Sequence, residues 1–292
     1  MLSVEEARQL DRLAFGASTA SPAASASGAR VSRARGFGLE FREFRRYEPG
    51  DDPRAIDWTI HARLRQLVVR VHRADAHLRV HLLVDVSGSM ATGAPDKLTG
   101  ARKIAALLSY VAVGRRDAVG VATFDRTVKQ YIAPAAGRPQ LLRIFDALAT
   151  AAAGGQSAIN HALANYGAAV HGPGLVVVIS DFYQAGGSFE GLRYLLHRGL
   201  TPAVVQVVAP QELDPDVTGD VELVDIEDPL APPVLVDPLI VAAYRERMAE
   251  LTAELGEFCI SHGLSCVRVE SSFPFARLLR ACRDASLLAG PG

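Results

Sequence analysis

The sequence predicts an α/β protein with a doubly wound, mostly parallel sheet, and three observations predict it. Short runs rich in leucine and β-branched residues recur along the chain after residue 78. Segments with apolar residues at helical spacing separate these runs. The runs are apolar at almost every position, which is typical of strands that helices cover on both faces of a sheet. We therefore expect parallel strands joined by crossover helices.

Composition sets wide limits on the class of protein. The chain has 292 residues, of which 49% are hydrophobic and 22% are charged, as in an ordinary globular protein. That length accommodates one large domain, or one domain with a smaller attachment. The formal net charge of -1 provides no overall basic field of the kind that nucleic-acid-binding proteins use.

The cysteines and the N-terminus indicate a cytoplasmic protein. Cys259, Cys266 and Cys282 match neither a zinc-ribbon spacing nor a CxxC redox motif, so we expect free thiols in a reducing compartment. The first fifteen residues carry five charged side chains and lack the apolar core of a signal peptide. No apolar stretch approaches the roughly 18–20 residues that a membrane-spanning helix requires.

Two regions precede the predicted sheet. Residues 1–29 combine a short helix, predicted over residues 3–15, with a linker over residues 16–28 that is rich in Ala, Ser, Gly and Pro. Residues 30–77 begin with a basic arm. Acidic residues interrupt and follow its arginines, which favours a solvated or partner-facing arm over a nucleic-acid patch.

The predicted elements after residue 78 follow in order. The strands are expected at residues 78–84, 118–124, 128–132, 175–179, 203–208 and 265–269, with the second and third forming a hairpin. The helices are expected at residues 97–113, 141–148, 159–170, 189–197, 239–261 and about 275–287. Residues 221–226 and 234–236 lie around three prolines, which favours an edge ribbon.

Oxygen-bearing side chains follow the predicted strands. Ligands of open parallel sheets bind beyond the carboxyl ends of the strands, so these positions are candidates for a site. Asp85, Ser87 and Ser89 follow the first strand, and their alternation places them on one side of an extended segment. Asp181 follows the central strand, and Ser157 ends a glycine-led turn before a helix.

This set of donors predicts a divalent metal site. Two carboxylates and three hydroxyls, with no histidine or cysteine, form the hard-oxygen donor set that Mg²⁺ prefers, and Mn²⁺ and Ca²⁺ are compatible with it. With few charged ligands the ion stays electrophilic and accepts a carboxylate from another protein. The sequence therefore predicts binding without turnover. The predicted metal ligands are Asp85, Ser87, Ser89, Ser157 and Asp181.

The same residues carry a resemblance to a known family. Asp85-x-Ser87-x-Ser89 resembles the DxSxS signature of von Willebrand factor type A domains, which forms their metal-ion-dependent adhesion site. The glycine-led loop ending in Ser157 and the Ser180-Asp181 pair are similar to the other two segments of that site. The resemblance implies hydroxyl ligation by the three serines, with the two aspartates binding directly or through water. The family loop usually carries threonine, so Ser157 keeps the oxygen but lacks the methyl group.

A second resemblance covers the segment before the sheet. Its residues form a dense string of charged and aromatic positions: Gly38-Leu39-Glu40-Phe41, Arg45 to Asp52, Arg54, Ile56-Asp57-Trp58 and Ala62-Arg63. This string resembles domain-of-unknown-function family fifty-eight, a bacterial family whose signature segment is fused to a type A domain. Its members typically occur beside MoxR-type AAA+ ATPases, which implies an adaptor role. The resemblances give residues 30–77 as the signature segment and residues 78–292 as the type A-like domain.

The signature segment also has a physical interpretation. Residues 49–52, Pro-Gly-Asp-Asp, predict a turn, and Trp58 is expected to anchor the segment against the sheet domain. Three arginines and three aspartates are suited to pairing with one another: Arg42, Arg54 and Arg63 with Asp51, Asp52 and Asp57. Such pairs either hold a β-ribbon together or form a docking surface, and both interpretations stay open.

Two enzymatic alternatives are weaker. A metal-dependent phosphohydrolase would use Asp85 as its nucleophile, but the haloacid dehalogenase pattern has a second aspartate where Ser87 stands. A serine hydrolase would use Ser89, but its nucleophile elbow requires glycine at the same position, 87. No GxxxxGK[ST] loop exists, so the chain is not a P-loop ATPase. We therefore do not expect an enzyme.

Two further alternatives concern metals. His72, His77 and His81 are closely spaced, but strand alternation scatters them over two faces and no HExxH motif contains them. A last alternative is a structural scaffold that keeps the fold while its metal is incidental. Metal titration separates that scaffold from the binding module.

Overall fold

The structure is a computed structural model of the chain. It describes residues 4–16, 41–48, 56–72, 77–183, 189–213, 215, 222–223, 234–235 and 238–290. Contacts between Cα atoms divide the chain into two units. One unit, called here the sheet unit, comprises Met1–Ser27 and Leu78–Gly292, and the other, called the signature unit, comprises Gly28–His77.

The described elements are numbered in chain order. The strands are β1 (Ala14–Phe15), β2 (Phe41–Arg46), β3 (Val68–His72), β4 (Arg79–Asp85), β5 (Ala118–Phe124), β6 (Val128–Ala135), β7 (Leu175–Ser180), β8 (Thr201–Val208), β9 (Glu222–Leu223), β10 (Val234–Leu235), β11 (Cys266–Glu270) and β12 (Leu288–Ala289). The helices are α1 (Val4–Asp11), α2 (Trp58–Leu64), α3 (Lys97–Gly114), α4 (Arg138–Thr150), α5 (Ile159–Ala169), α6 (Glu190–His197), α7 (Pro210–Leu213), α8 (Pro238–Ser261) and α9 (Phe275–Asp284).

A six-stranded sheet organises the sheet unit, in the order β11-β8-β7-β4-β5-β6. All neighbouring pairs are parallel except β5 with β6, which form an antiparallel hairpin. The chain proceeds from β4 outward to β5 and later returns to β7 on the other side of β4. This reversal places the switch point of the sheet at the carboxyl end of β4, where α/β proteins bind ligands.

Two apolar cores lie on opposite faces of this sheet. Strand side chains alternate in direction, so Leu82 and Val84 of β4 join a core with α3, α4 and α9. Leu83, between them, joins a second core with α5, α6 and α8. Every residue of β7 is buried, which explains its continuous apolar sequence. The doubly wound α/β fold predicted from the sequence is confirmed.

The N-terminal residues pack within the sheet unit. Leu10 and Leu13 are buried in the same core as α3, and Arg115 donates a hydrogen bond of 2.8 Å to the carbonyl of Leu13. Strand β1 pairs antiparallel with β12 near the C-terminus. The predicted N-terminal helix is therefore present over Val4–Asp11. The rest of the predicted linker, residues 17–28, lies outside the described residues.

The signature unit contains an antiparallel ribbon and one short helix. Strands β2 and β3 pair with a shift of register between Phe41 and Glu43. Asp57 caps α2 by accepting hydrogen bonds from the backbone amides of Thr59 and Ile60 at 2.9 and 3.2 Å. This bond pattern fixes the start of the helix at Trp58.

The ribbon agrees with the prediction, and the contact expected between Trp58 and the sheet domain stays a prediction. Trp58 is 61% exposed and meets the ring of His61 edge-on. The predicted turn at residues 49–52, together with Arg54, lies outside the described residues.

Other departures involve short elements. The sequence does not predict α2, α7, the β1–β12 pair, or the 3-10 turn at Gly88–Ala91. Each has seven residues or fewer, too short for a periodic pattern. The predicted ribbon after β8 is present as the pair β9–β10. None of the described helices combines the length and apolar character that crossing a membrane requires.

Candidate metal site

Asp85 ends β4 at the switch point and is completely buried. Its Oδ1 accepts a hydrogen bond of 2.8 Å from the backbone amide of Ser87, which turns the chain away from the strand. Its Oδ2 accepts a bond of 2.6 Å from the hydroxyl of Ser180 at the end of β7. The aspartate is therefore fixed by its own turn and by the neighbouring strand.

Ser87 and Ser89 present two hydroxyls side by side. Their Oγ atoms are 3.2 Å apart, and Ser87 is completely buried. The hydroxyl of Thr92 donates to the carbonyl of Ser89 at 2.8 Å and so closes the 3-10 turn. Adjacent ligands of an octahedral Mg²⁺ ion are about 3 Å apart, because each Mg–O bond is about 2.1 Å. The spacing of the two hydroxyls is close to that value.

The glycine loop is fastened to the Asp85 turn by two backbone hydrogen bonds. The amide of Gly154 donates to the carbonyl of Val86, and the amide of Gly88 donates to the carbonyl of Gly155, both at 2.8 Å. Ser157 follows two residues later and is half-buried. These bonds bring the segment that carries Ser157 to the same end of the sheet.

Gly155 is required in this loop for two reasons. Its φ of +81° lies in the left-handed region, which favours glycine. A Cβ atom at this position would also come within 2.7 Å of Oδ2 of Asp125. Asp125 itself is fixed by an ion pair of 2.8 Å with Lys129. The close approach of backbone to carboxylate therefore leaves no space for a side chain.

Asp181 follows Ser180 at the end of β7 and is also buried. Its Oδ2 accepts a hydrogen bond of 2.8 Å from Nζ of Lys97, and its Oδ1 accepts one of 3.3 Å from the amide of Tyr183. Between them, Phe182 adopts a φ of +62°, an uncommon conformation for a bulky residue. Its amide donates to Ser180 Oγ at 3.0 Å, which holds this turn in place.

The two aspartates repel each other. Burial and the charge of Asp181 raise the pKa of Asp85 to about 7, although the hydrogen bonds from Ser180 and Ser87 act in the opposite direction. Among the described residues, no lysine, arginine or histidine forms an ion pair with Asp85. Asp85 is thus a buried acid with an anionic neighbour and no cationic partner, an arrangement that a bound cation would stabilise.

Lys97 and Glu212 were missed by the sequence reasoning. Lys97 begins α3, is completely buried, and donates to Oε1 of Glu212 at 2.6 Å as well as to Asp181. Burial acts to raise the pKa of Glu212, but the Lys97 ammonium together with the hydrogen bonds from Tyr183 and Ala209 holds that pKa below its usual value. Glu212 lies just beyond the end of β8, so the rule that located Asp85 and Asp181 also applied to it.

The donor chemistry fits a hard divalent ion, with one departure. Asp85, Ser87 and Ser89 provide a buried carboxylate and two hydroxyls at suitable spacing. Asp181, in contrast, already holds the ammonium of Lys97. Within the part of the chain that the structure describes, no three His, Cys, Asp or Glu side chains form a metal-holding group. A divalent ion here must therefore rely on hydroxyl groups and water for most of its ligands.

Comparisons with known proteins give relatives and structural likenesses. The chain is 30% identical over 211 residues to "Uncharacterized protein Mb1516" of Mycobacterium bovis, a match that covers 70% of this chain and 66% of that protein. The chain thus spans just under two thirds of the length of the curated relatives it matches. The crystal structure of BatB from Bacteroides thetaiotaomicron is similar with a TM-score of 0.43 and 17% identity, covering 72% of this chain and 98% of that one.

A second solved structure is the von Willebrand factor type A protein from Catenulispora acidiphila, with a TM-score of 0.40 and 12% identity. The match covers 76% of this chain and 43% of that one. The family profile described as "Protein of unknown function DUF58" matches residues 43–254, which is more than half of the chain. The family predicted from the signature string is thereby confirmed: this chain belongs to the DUF58 family.

Proposed function

We propose that the sheet unit is a metal-dependent protein-interaction module. In this proposal Ser87, Ser89 and Ser157 hold Mg²⁺ through their hydroxyls, and Asp85 and Asp181 bind directly or through water. Mn²⁺ and Ca²⁺ are compatible with the same donors. When bound, the ion supplies a positive centre that accepts a carboxylate from a partner protein. No covalent bond changes, so we do not expect an enzyme.

One observation carries the proposal. Asp85 is completely buried, no cation among the described residues pairs with it, and two hydroxyls that it helps to position are 3.2 Å apart. A buried carboxylate with no counter-charge is costly, so a fold that keeps one is expected to use it. A hard divalent ion would neutralise the charge of Asp85 and would also be bound by the two hydroxyls.

The partner and the compartment are also part of the proposal. The family resemblance favours a MoxR-type AAA+ ATPase, which would present an aspartate or glutamate side chain to the ion, with this chain as its adaptor. The three cysteines are free, which fits a reducing compartment such as the cytoplasm. No nucleic-acid partner is proposed.

The phosphohydrolase alternative is disfavoured by the surroundings of Asp85. Both of its carboxylate oxygens accept hydrogen bonds, and the side chain has no exposed surface from which to attack a phosphate. We therefore expect no hydrolysis of p-nitrophenyl phosphate in the presence of Mg²⁺. The scaffold alternative is separated from the binding module by the metal titration below.

The test of metal binding compares two buried serines. Thermal unfolding is measured with and without Mg²⁺ for the wild type, Ser87→Ala, and Ser109→Ala, which removes a buried hydroxyl from α3 far along the chain from the site. We expect Mg²⁺ to stabilise the wild type and Ser109→Ala but not Ser87→Ala, because ligands that bind only the folded state raise its stability. Equal stabilisation of all three proteins would contradict the proposal.

The test of partner binding uses purified components. The affinity of the chain for the MoxR-type ATPase of the same organism is measured in Mg²⁺ and in a chelator. We expect binding in Mg²⁺ that the chelator and Ser87→Ala each reduce by about tenfold or more, since both remove the ion. Binding that is unaffected by the chelator would show an interface that does not involve the metal.

A further inference from the structure

Lys97 places an ammonium group inside the candidate site. Its Nζ lies 2.8 Å from Asp181 Oδ2 and 2.6 Å from Glu212 Oε1, with no exposed side-chain surface. The ring of Tyr183 covers the ammonium at 4.3 Å from the ring centroid. Three favourable partners thus surround one ammonium, which is what burial of such a charge requires.

Helix stability does not explain this position. Lys97 is the first residue of α3, where the helix dipole favours acidic rather than basic side chains. Asp96, immediately before it, already caps the helix by accepting a bond of 2.7 Å from the amide of Thr99. The lysine is therefore placed for the acids at the end of the sheet, not for the helix that carries it.

Glu212 is held as firmly as the lysine. Its carboxylate accepts hydrogen bonds from the hydroxyl of Tyr183 at 2.6 Å, the hydroxyl of Thr92 at 2.8 Å and the amide of Ala209 at 3.0 Å. The same Thr92 hydroxyl lies 2.8 Å from the carbonyl of Ser89, so its one proton is shared between the two acceptors. A continuous network thus connects the ammonium to the turn that carries two of the proposed metal ligands.

The charges divide into two groups. Lys97 neutralises part of the charge of Asp181 and Glu212, whereas Asp85 has Asp181 as a neighbour and no cation from the described part of the chain. A divalent ion that binds Asp181 directly must compete with the ammonium for Oδ2. An ion that stays with Asp85 and the serine hydroxyls avoids this competition but gains only one charged ligand.

We propose that Lys97 is a resident cation that competes with the divalent ion for Asp181 and so keeps metal binding at this site weak. The inference rests on the proposed function, because it concerns the same site. Removing the ammonium would free Asp181 as a second charged ligand, and affinities of oxygen sites rise with the number of charged ligands. Lys97 is thus a positioning residue that sets affinity through Asp181.

The test removes the ammonium without stranding Glu212. In Lys97→Met/Glu212→Gln the methionine retains an unbranched apolar chain, and the amide retains hydrogen bonds to Thr92 and Tyr183. The matched control, Lys97→Arg/Glu212→Gln, carries the same glutamine and keeps a cation at position 97. Binding of Mn²⁺ alone is measured from the electron paramagnetic resonance signal of free Mn²⁺, with circular dichroism to verify folding.

We expect the methionine variant to bind Mn²⁺ about tenfold tighter than the wild type, and the arginine variant to stay within about threefold of it. Equal affinities in the two variants would overturn the inference, and the proposed function would still stand if Ser87→Ala abolishes binding. Binding in the methionine variant but not in the wild type would support the inference and contradict the proposed function. An absence of binding in every protein would contradict both.

A measurement on the wild type covers the case in which the variants fail to fold. Nuclear magnetic resonance of ¹⁵N-lysine-labelled protein detects buried ammonium groups, because their protons exchange slowly with solvent. We expect the Lys97 signal to shift when Mg²⁺ is added, since the ion competes with the ammonium for Asp181. An unchanged signal at a Mg²⁺ concentration that stabilises the wild type against heat would overturn the inference.

Discussion

The hydroxyl of Ser180 donates a hydrogen bond of 2.6 Å to Oδ2 of Asp85 and so connects the ends of two neighbouring strands. The same oxygen accepts the amide of Phe182, whose φ is +62°. One serine therefore orients a carboxylate on β4 and stabilises an uncommon turn after β7. Sequence reasoning noted Ser180 only as the neighbour of Asp181, yet it contributes directly to the geometry of Asp85.

Replacing Ser180 by alanine is expected to lower the stability of the fold and to weaken cation binding at Asp85. The variant leaves the amide of Phe182 and one oxygen of Asp85 without a partner, at a cost of about 1–3 kcal/mol in the free energy of unfolding. The hydrogen bond from Ser180 lowers the pKa of Asp85, so its loss raises that pKa and weakens binding of a cation at neutral pH. Urea unfolding and Mg²⁺-dependent thermal shifts measure the two effects. A stability equal to that of Ser109→Ala would contradict this account.

Replacing Lys97 alone is expected to be severe. Lys97→Met leaves Asp181 and Glu212 buried without their counter-charge, which typically costs about 3–5 kcal/mol. Adding Glu212→Gln removes one of the two stranded charges and should restore part of the loss. Chemical denaturation of the two single variants and the double variant gives their coupling energy. Additive effects would show that the two side chains do not interact as the geometry indicates.

Gly155 and Gly154 provide a matched pair within one loop. Gly155→Ala places a Cβ atom 2.7 Å from Asp125 and imposes a left-handed φ on alanine, so we expect a loss of about 1–3 kcal/mol. It should also abolish the Mg²⁺ response, because the loop carries Ser157. Gly154→Ala meets no atom within 4 Å and should retain the response. Thermal unfolding with and without Mg²⁺ compares the two variants, and equal behaviour would count against the loop's role.

Acid is expected to destabilise the sheet unit through His81. Burial, together with the charge of Arg79, lowers the pKa of His81 to about 4, and its Nδ1 is hydrogen-bonded to the hydroxyl of Tyr166 at 2.8 Å. In the unfolded chain this histidine binds its proton near pH 6.5, so neutral His81 makes its full contribution to the free energy of unfolding above that pH. The free energy of unfolding falls by about 3 kcal/mol as the pH drops toward 4.

The variant that checks the pH effect is His81→Leu. Its free energy of unfolding should vary less with pH between 6.5 and 4 than that of the wild type. His197→Gln changes an exposed histidine on α6 and should leave the wild-type dependence intact. An identical pH dependence for His81→Leu and the wild type would show that this imidazole does not disfavour its charged form.

The main sheet could be predicted because each of its strands and helices is marked by the apolar pattern of its own residues. A strand buried on both faces must be apolar throughout, so β4, β7 and β8 are visible as continuous runs, and α3 as a periodic one. The carboxyl ends of such strands mark the site, which led to Asp85 and Asp181. Their role as metal ligands stays a prediction.

The rest depended on contacts between distant parts of the chain. The residues around Lys97 form an ordinary helical pattern. Its burial follows from contacts with Asp181 and Glu212, which lie 84 and 115 positions later. Glu212 lies on a four-residue helix that shows no periodicity. Strands β1 and β12 have two residues each, which is too few for an alternating pattern that would predict their pairing. No short window of sequence shows that Lys97 is buried or that β1 pairs with β12.

The pairing of β1 with β12 also determines how the signature unit is connected to the rest of the chain. Gly16 on one side donates to the carbonyl of Leu287, and Leu78 on the other donates to Asp117, so both flanks are bonded to the sheet unit. The signature unit is thus an insertion with two tethers and not an appendage with one. A protease that cuts the chain on one side of the signature unit would leave it attached to the sheet unit through the other side.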